Sequence, residues 1–285
     1  MLKHSVLLLL AAASAHGSSS QEDGSSSQKP MGVDYVCQHP QYQTRIVSTS
    51  PFVIYIENFL TAEEREHLLD TTKDTFAHSA VADEAGAQGL RQTRTSQSTN
   101  VPRDAVARCV EARALHFQGY YDGAAARARL EPLQLVRYAR GERFHFHTDW
   151  YGAGSAAALA SAALGGNRES SFFVYVAASN SSCGDGEEED LTGGGTNFPM
   201  LELESPPRDP RWCALVDCDE PWEAGVTFRP VVGNAVFWRN VLEDGAGDQR
   251  TLHAGLPVTS GWKVGMNIWT RQGPLSEDIR GPDVY

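Results

Sequence analysis

Beyond its first residues the sequence lacks any apolar run long enough to cross a bilayer as a helix, which excludes a helical multi-span architecture. Basic residues are in short supply. Lys and Arg number 24 against 36 Asp and Glu, and the formal net charge of −12 argues against a polyanionic partner such as nucleic acid. The five cysteines include no Cys-x2-Cys and no paired Cys/His knuckle, so the zinc-finger patterns are missing. No period of roughly 20–50 residues repeats, which excludes a solenoid or propeller. The C-terminal Gly281-Pro282-Asp283-Val284-Tyr285 carries no retrieval signal of the Lys-Asp-Glu-Leu type.

What is present begins with Met1-Leu2-Lys3-His4, an apolar run from Ser5 to Ala13, and Ala13-Ser14-Ala15. A basic start, a short apolar core and an Ala-x-Ala end are the parts of a secretory signal over residues 1–15, with a retained anchor as the alternative. A location in the secretory pathway follows, either the ER lumen or outside the cell, with no membrane span expected after cleavage. Residues 16–45, rich in Ser, Gly and Gln at first, read as a flexible lead-in to one large domain over residues 46–285. An oxidising compartment permits disulfides. Cys183, Cys213 and Cys218 flank loops and are candidates for pairing, whereas Cys109 falls on the apolar face of a predicted helix and reads as a buried thiol. Asn180-Ser181-Ser182 is a glycosylation acceptor if it lies on an exposed loop. Asp185, Glu187, Glu188, Glu189 and Asp190 form an acidic run that reads as a solvated loop.

Thr61-Ala62-Glu63-Glu64 has the capping-box pattern of a helix start, with Leu68 and Leu69 supplying the buried face. Val106, Cys109, Val110, Ala114 and Phe117 recur at helical spacing and predict a second amphipathic helix. From Leu133 the texture changes to short β-type runs: Leu133–Tyr138, Phe172–Ala177, Val226–Val232, Ala235–Trp238 and Lys263–Thr270. Helices first and many short strands after predict an α+β chain, a double-stranded β-helix (jelly-roll) core braced by N-terminal helices. The Ala/Gly/Ser-rich stretch from Gly152 to Gly166 reads as a mobile loop near a site mouth.

The chemistry concentrates in Phe144-His145-Phe146-His147-Thr148-Asp149 and in a distant Thr251-Leu252-His253-Ala254-Gly255. On a strand His145, His147 and Asp149 share one face, so either His145/His147 or His147/Asp149 could form a bite. Two ligands from one strand and a distant His make the 2-His-1-carboxylate face of non-heme Fe(II) oxygenases, which leaves positions open for a co-substrate and for O2. Lys263, ten positions past His253 on an apolar run, is a cation that would be costly to bury unpaired.

The ordered set of motifs is more specific than any one of them. Tyr138-x-x-Gly141-x-x-Phe144-x-x-His147-x-Asp149 resembles the metal strand of the prolyl 4-hydroxylase family of Fe(II)/2-oxoglutarate dioxygenases. Gly165-Gly166-Asn167-Arg168, Gly193-Gly194-Gly195-Thr196-Asn197-Phe198-Pro199, Gly233-Asn234-Ala235-Val236-Phe237-Trp238 and Leu252-His253-Ala254-Gly255 follow in the family's order, then Lys263 and Asn267-x-Trp269. Upstream, Arg94-Thr95-Ser96 resembles the family's substrate-side Arg-x-Ser. The resemblance implies iron on His147, Asp149 and His253, which would be the catalytic metal ligands. It implies 2-oxoglutarate on Lys263, Tyr138 and Thr196, and peptide contacts from Arg94, Ser96, Arg168 and Trp269. It further implies O2 as co-substrate, L-ascorbate as reductant, and hydroxylation of a proline-containing peptide or protein with release of succinate and CO2. Arg94 and Trp269 are then expected to line an open groove with Phe144 on its wall.

Three departures fall on the substrate side. Phe144 replaces the family's Tyr, Gly195 stands where Glu is common, and Arg271 lies where another polar group is frequent. Competing expectations are the same oxygenase acting on another residue or a small molecule, a non-catalytic binding module, and a zinc hydrolase. A module that had lost turnover would lack a ligand or the Lys, and a zinc hydrolase gives Lys263 no role.

Overall fold

The computed structural model describes residues 35–281 apart from 80, 83–87, 90–93, 122, 163, 181–188, 204–209 and 222–223. The expected signal segment, Cys183, Ser181 and Ser182 lie outside the described residues. The chain enters through strands β1 (Gln43–Thr49) and β2 (Phe52–Glu57) and helix α1 (Ala62–Thr72). Short strands β3 (Ala77–His78), β4 (Val81–Ala82), β5 (Gln88–Gly89) and β6 (Gln97–Asn100) lead to helices α2 (Ala105–Phe117) and α3 (Ala124–Arg127). Then come β7 (Gln134–Tyr138), β8 (Phe144–His147), α4 (Ala156–Ala162), β9 (Arg168–Ala178), β10 (Thr192–Gly193) and β11 (Thr196–Phe198). The chain closes with α5 (Pro210–Cys213), β12 (Val226–Phe228), β13 (Ala235–Arg239), β14 (His253–Gly255), β15 (Val258–Ser260), β16 (Lys263–Arg271) and α6 (Glu277–Arg280).

Two sheets carry the architecture. The larger has the order β1-β2-β13-β9-β16-β7-β6-β3, and a four-stranded sheet has the order β12-β11-β14-β8. Alternation along the strands decides what each face of the larger sheet buries. Ile54, Ile56, Phe172, Val174 and Phe237 point to one side and pack with Leu68 of α1 and Val110, Ala114 and Leu115 of α2. Val53, Tyr55, Phe173, Tyr175, Val236 and Trp238 point to the other, where Phe198, Val226 and Phe228 of the smaller sheet meet them. Each fully buried side chain of the Phe172 or Val174 kind stabilises by roughly 1.5–3 kcal/mol. This is the jelly-roll core braced by N-terminal helices.

Local chemistry fixes the helices. Thr61 Oγ1 accepts from the Glu64 amide at 3.2 Å, and Glu64 Oε2 accepts from the Thr61 amide at 3.0 Å, which closes the capping box. The same Glu64 carboxylate, fully buried, takes both Nη groups of Arg113 from α2 at 2.8 and 2.6 Å. Arg113 also donates to the carbonyls of Phe59 and Gln38. A buried pair joined by two direct bonds locks α1 to α2, since removing one partner would leave an uncompensated charge.

Three expectations change here. Cys109 is not a free thiol: it is bonded to Cys37, while Cys213 pairs with Cys218. A sequence pattern reports the apolar face of a helix but not which distant segment crosses it. The domain boundary expected at residue 46 moves upstream, because Tyr35 donates to Glu64, Gln38 accepts from Arg113, and β1 starts at Gln43. The stretch from Gly152 to Gly166 carries helix α4, and Ser161 and Gly166 accept from Arg271 at 2.6 Å each.

Candidate active site

Strands β8 and β14 pair antiparallel in the smaller sheet with His147 opposite His253. That register brings together two residues far apart in sequence. Asp149 arrives differently from the expectation: β8 ends at His147, and the carboxylate reaches the site from the bend that follows. One nitrogen or oxygen from each of His147, Asp149 and His253 lies within 4.8 Å of the others. His145 is exposed and contributes only its backbone carbonyl. The geometry therefore selects His147/Asp149 over His145/His147.

Each imidazole is oriented by its own backbone. His147 Nδ1 donates to the His145 carbonyl at 2.7 Å, and His253 Nδ1 donates to the Thr251 carbonyl at 2.9 Å. Donation from Nδ1 fixes the tautomer and leaves both Nε2 lone pairs facing the centre, at 3.9 Å from Asp149 oxygens. Burial, then the neighbouring His253, pushes His147 down to about 3, so its ring is neutral and able to ligate. For Asp149 burial works upward, but His253, Arg168, His147 and the Ser171 hydroxyl outweigh it and hold the carboxyl at about 2. Two imidazole nitrogens and one ionised carboxylate are the donor set that ferrous iron takes.

The carboxylate sits at the end of a buried relay, of which the sequence motifs included Trp238 but not Asn240 or Ser171. Trp238 Nε1 donates to Asn240 Oδ1 at 2.8 Å, Asn240 Nδ2 to Ser171 Oγ at 2.8 Å, and Ser171 Oγ to Asp149 Oδ2 at 2.6 Å. Trp269 Nε1 adds a second donor to the same oxygen at 3.0 Å. Alternation along β9 could have found Ser171, because it points to the same face as Phe173 and Tyr175.

Lys263, at the start of β16, is paired in register with Tyr138 of β7 and is 1 % exposed. Its ammonium donates to the Gly194 carbonyl and lies 4.8 Å from the Tyr138 ring centre and 5.4 Å from that of Phe173. No carboxylate faces it among the described residues, and burial lowers it to about 7. A buried cation with a carbonyl and two rings for company fits the carboxylate of an incoming acid. Tyr138 is buried, and Thr196 Oγ1 accepts from Tyr175 at 2.9 Å.

Substrate-side expectations fare unevenly. Arg94 stands 4.7 Å over Phe144, whose ring stacks on His147 at 3.6 Å. Ser96 is 1 % exposed and hydrogen-bonded to Ser79 and Arg94, so it supports Arg94 from behind. Arg168 grips Glu131 with two bonds of 2.7 and 2.9 Å and stacks on Trp269 at 3.6 Å. Trp269 is 8 % exposed, so it does not line an open groove; its indole N–H holds Asp149. At Gly195, an added Cβ would meet Thr227 Cγ2 at 2.4 Å, which explains why no larger residue stands there.

The model of the 2OG-Fe(II) oxygenase superfamily matches residues 133–271, which contain both histidines, the carboxylate and the lysine. Over those residues the chain is a 2OG-Fe(II) oxygenase. Prolyl 4-hydroxylase 2 of Arabidopsis thaliana is 27% identical to this oxygenase over 227 residues, spanning 78% of this chain and 68% of that protein. Prolyl 4-hydroxylase 1 of the same plant is 27% identical over 236 residues, spanning 81% and 72%. The viral collagen prolyl hydroxylase of Paramecium Bursaria Chlorella virus-1, solved with 2OG, shares the fold. It has a TM-score of 0.50 and 20% identity, and the match covers 83% of this chain and 99% of that one. The oxygenase is thus an Fe(II)- and 2-oxoglutarate-dependent dioxygenase of the prolyl 4-hydroxylase kind, with O2 as the oxidant.

Proposed function

We propose that this dioxygenase hydroxylates prolyl residues in a peptide or protein, with His147, Asp149 and His253 holding iron and Lys263, Tyr138 and Thr196 receiving 2-oxoglutarate. The observation that carries the dicarboxylate is Lys263, a buried ammonium with no carboxylate against it among the described residues. The proline reading rests on relatives named prolyl 4-hydroxylases that align over most of the chain. Iron with 2-oxoglutarate and O2 supplies the oxidising power, placing one oxygen atom on the substrate and one in succinate, with loss of CO2.

The protein's part is geometry and charge. His147 and His253 present bare Nε2 atoms because their Nδ1 protons are committed to the backbone. Ser171 and Trp269 load one oxygen of Asp149 with two donors, which fixes the plane of the carboxylate and leaves its other oxygen to the metal. Phe144, packed flat on His147, shields one side of the centre from water. L-ascorbate as reductant belongs to the same proposal.

Anaerobic iron loading followed by 2-oxoglutarate turnover against a proline-rich peptide panel tests the reading, with products read by mass. The expected result is a peptide that raises turnover and gains one oxygen on proline. If no peptide lifts turnover above the uncoupled rate, a small molecule takes its place as substrate. A secretory location is part of the proposal, supported by the two disulfides and the N-terminal pattern. Fractionation of cells expressing the full chain, with N-terminal sequencing, should find it in the ER or medium and shortened; a cytosolic, uncut chain would reject this.

A further inference from the structure

The substrate side of the centre holds more positive charge than the protein balances. Glu131 accepts from Arg168 Nε and Nη2 at 2.7 and 2.9 Å and from Arg271 Nε at 2.6 Å, so one carboxylate serves two guanidiniums. Burial opposes the ionisation of Glu131, and the two arginines override it. Among the described residues the hydrogen bonds of Arg94 go to neutral oxygens, Ser96 Oγ at 3.3 Å and Gln134 Oε1 at 3.2 Å. Its pKa is lowered by burial, with the positive charge of Arg168 adding to the shift and Tyr138 and Asp149 opposing it. Arg168 and Arg271 flank the Tyr151 ring at 5.8 and 5.5 Å, and Arg168 Nη1 stands 3.7 Å from Asp149 Oδ1.

With cofactor and co-substrate bound, the ledger is simple. Iron's two charges are met by Asp149 and the near carboxylate of 2-oxoglutarate, and Lys263 by the far one. Glu131 then answers one of three arginines, and two are left. Unbalanced cations in a poorly solvated site are costly unless an anion joins them. The arginines are also held in place to receive one. Arg271 Nη1 is anchored on Ser161 Oγ and the Gly166 carbonyl, while its Nη2 and Arg94 Nη1 make no hydrogen bond among the described residues. Arg168 keeps 15 % of its side chain exposed. A planar guanidinium is suited to paired bonds with a carboxylate. The formal net charge of −12 does not oppose this, since charges beyond about 8–10 Å are screened and the near guanidiniums decide.

The geometry points to an anion subsite beside the metal, formed by Arg168, Arg271 and Arg94, that takes the carboxylate of an Asp or Glu adjoining the hydroxylated proline. This rests on the peptidyl-proline reading and narrows it to acidic peptides. Arg271, one of the sequence's departures from its family, then acts as a specificity residue.

The test compares two fluorescein-labelled peptides that differ only in carrying Asp or Asn on both sides of one proline. Affinity is read by anisotropy on the full chain with iron and 2-oxoglutarate under anaerobic conditions, and turnover by mass once air is admitted. The Asp peptide is expected to bind about ten- to a hundredfold more tightly, the range of a charge-assisted contact. That advantage should shrink with added salt and with Arg271→Gln, and return in part with Arg271→Lys. Equal affinities at low ionic strength would overturn the subsite, as would a full Asp preference that survives in a folded Arg271→Gln protein. Should that variant not fold, the comparison on the unaltered protein still decides. Preferential binding without hydroxylation would keep the subsite and reject proline as the target.

Discussion

Lys263 shows how much one side chain can state about a ligand. Burial lowers its pKa from the ordinary 10.5 to about 7. Between those values the folded protein without co-substrate binds fewer protons than the unfolded chain. The stability tied to this group is therefore full above about 10.5 and is lost as pH falls through about 7. A carboxylate seated on the ammonium reverses the shift, so 2-oxoglutarate binding near pH 8 should take up protons. Calorimetry in two buffers of different ionisation enthalpy measures this, and uptake undiminished in Lys263→Met would remove the lysine from the site. Lys263→Ala should also raise the KM for 2-oxoglutarate by about one to two decades, the worth of a roughly 1.5–3 kcal/mol charge-assisted bond, with little change in iron affinity. Replacing His147, Asp149 or His253 by Ala should abolish 2-oxoglutarate turnover, whereas His145→Ala, altering an exposed ring, should keep most of it. A dead His145→Ala beside an active Asp149→Ala would reverse the ligand assignment.

Among the elements, β8 and β14 matter as a pair, because their register alone sets His147 against His253. The helices hold the larger sheet from behind; the Glu64–Arg113 pair pins α1 to α2, and the Cys37–Cys109 disulfide ties the segment before β1 to α2. The two disulfides differ in the length of chain they close: 72 residues of separation for Cys37–Cys109 against 5 for Cys213–Cys218. In the chain-entropy account the long loop contributes about 4 kcal/mol and the short one about 2 kcal/mol. Chemical denaturation of paired Cys→Ser variants should show the larger loss for Cys37/Cys109. Equal losses would place the effect of the long disulfide in local contacts.

For the whole molecule, a metal held by His147, Asp149 and His253 would tie together β8, the bend after it and β14. A ligand that binds only the folded state stabilises it by roughly 2.7 kcal/mol at a hundred times its Kd. Ferrous iron, or manganese as a redox-silent substitute, should therefore raise the melting temperature, and a chelator should reverse the gain. In Asp149→Ala both effects should vanish. Metal-dependent stabilisation that persists in this variant would place the binding elsewhere.

Sequence by itself determined the period-two runs, the capping box at Thr61, the order of motifs and the residue types of the metal face. These are local or ordered along the chain, and periodicity and chemistry report them directly. Of the strands that sequence reasoning passed over, β1 and β6 are largely polar, so their pairing partners rather than their own pattern make them strands, whereas the apolar run Phe52–Ile56 of β2 carries a strand pattern that was there to be read. Tertiary structure decided the rest. It brought Asp149, which the motif order already implied, onto the metal face by ending β8 at His147 and turning the chain, and it gave Trp269 to the carboxylate rather than to a groove. It also paired Cys109 with Cys37 and set two arginines, Arg168 and Arg271, on one glutamate. Each of these depends on which distant backbone crosses which, and a linear pattern holds no record of a distance between residues so far apart along the chain.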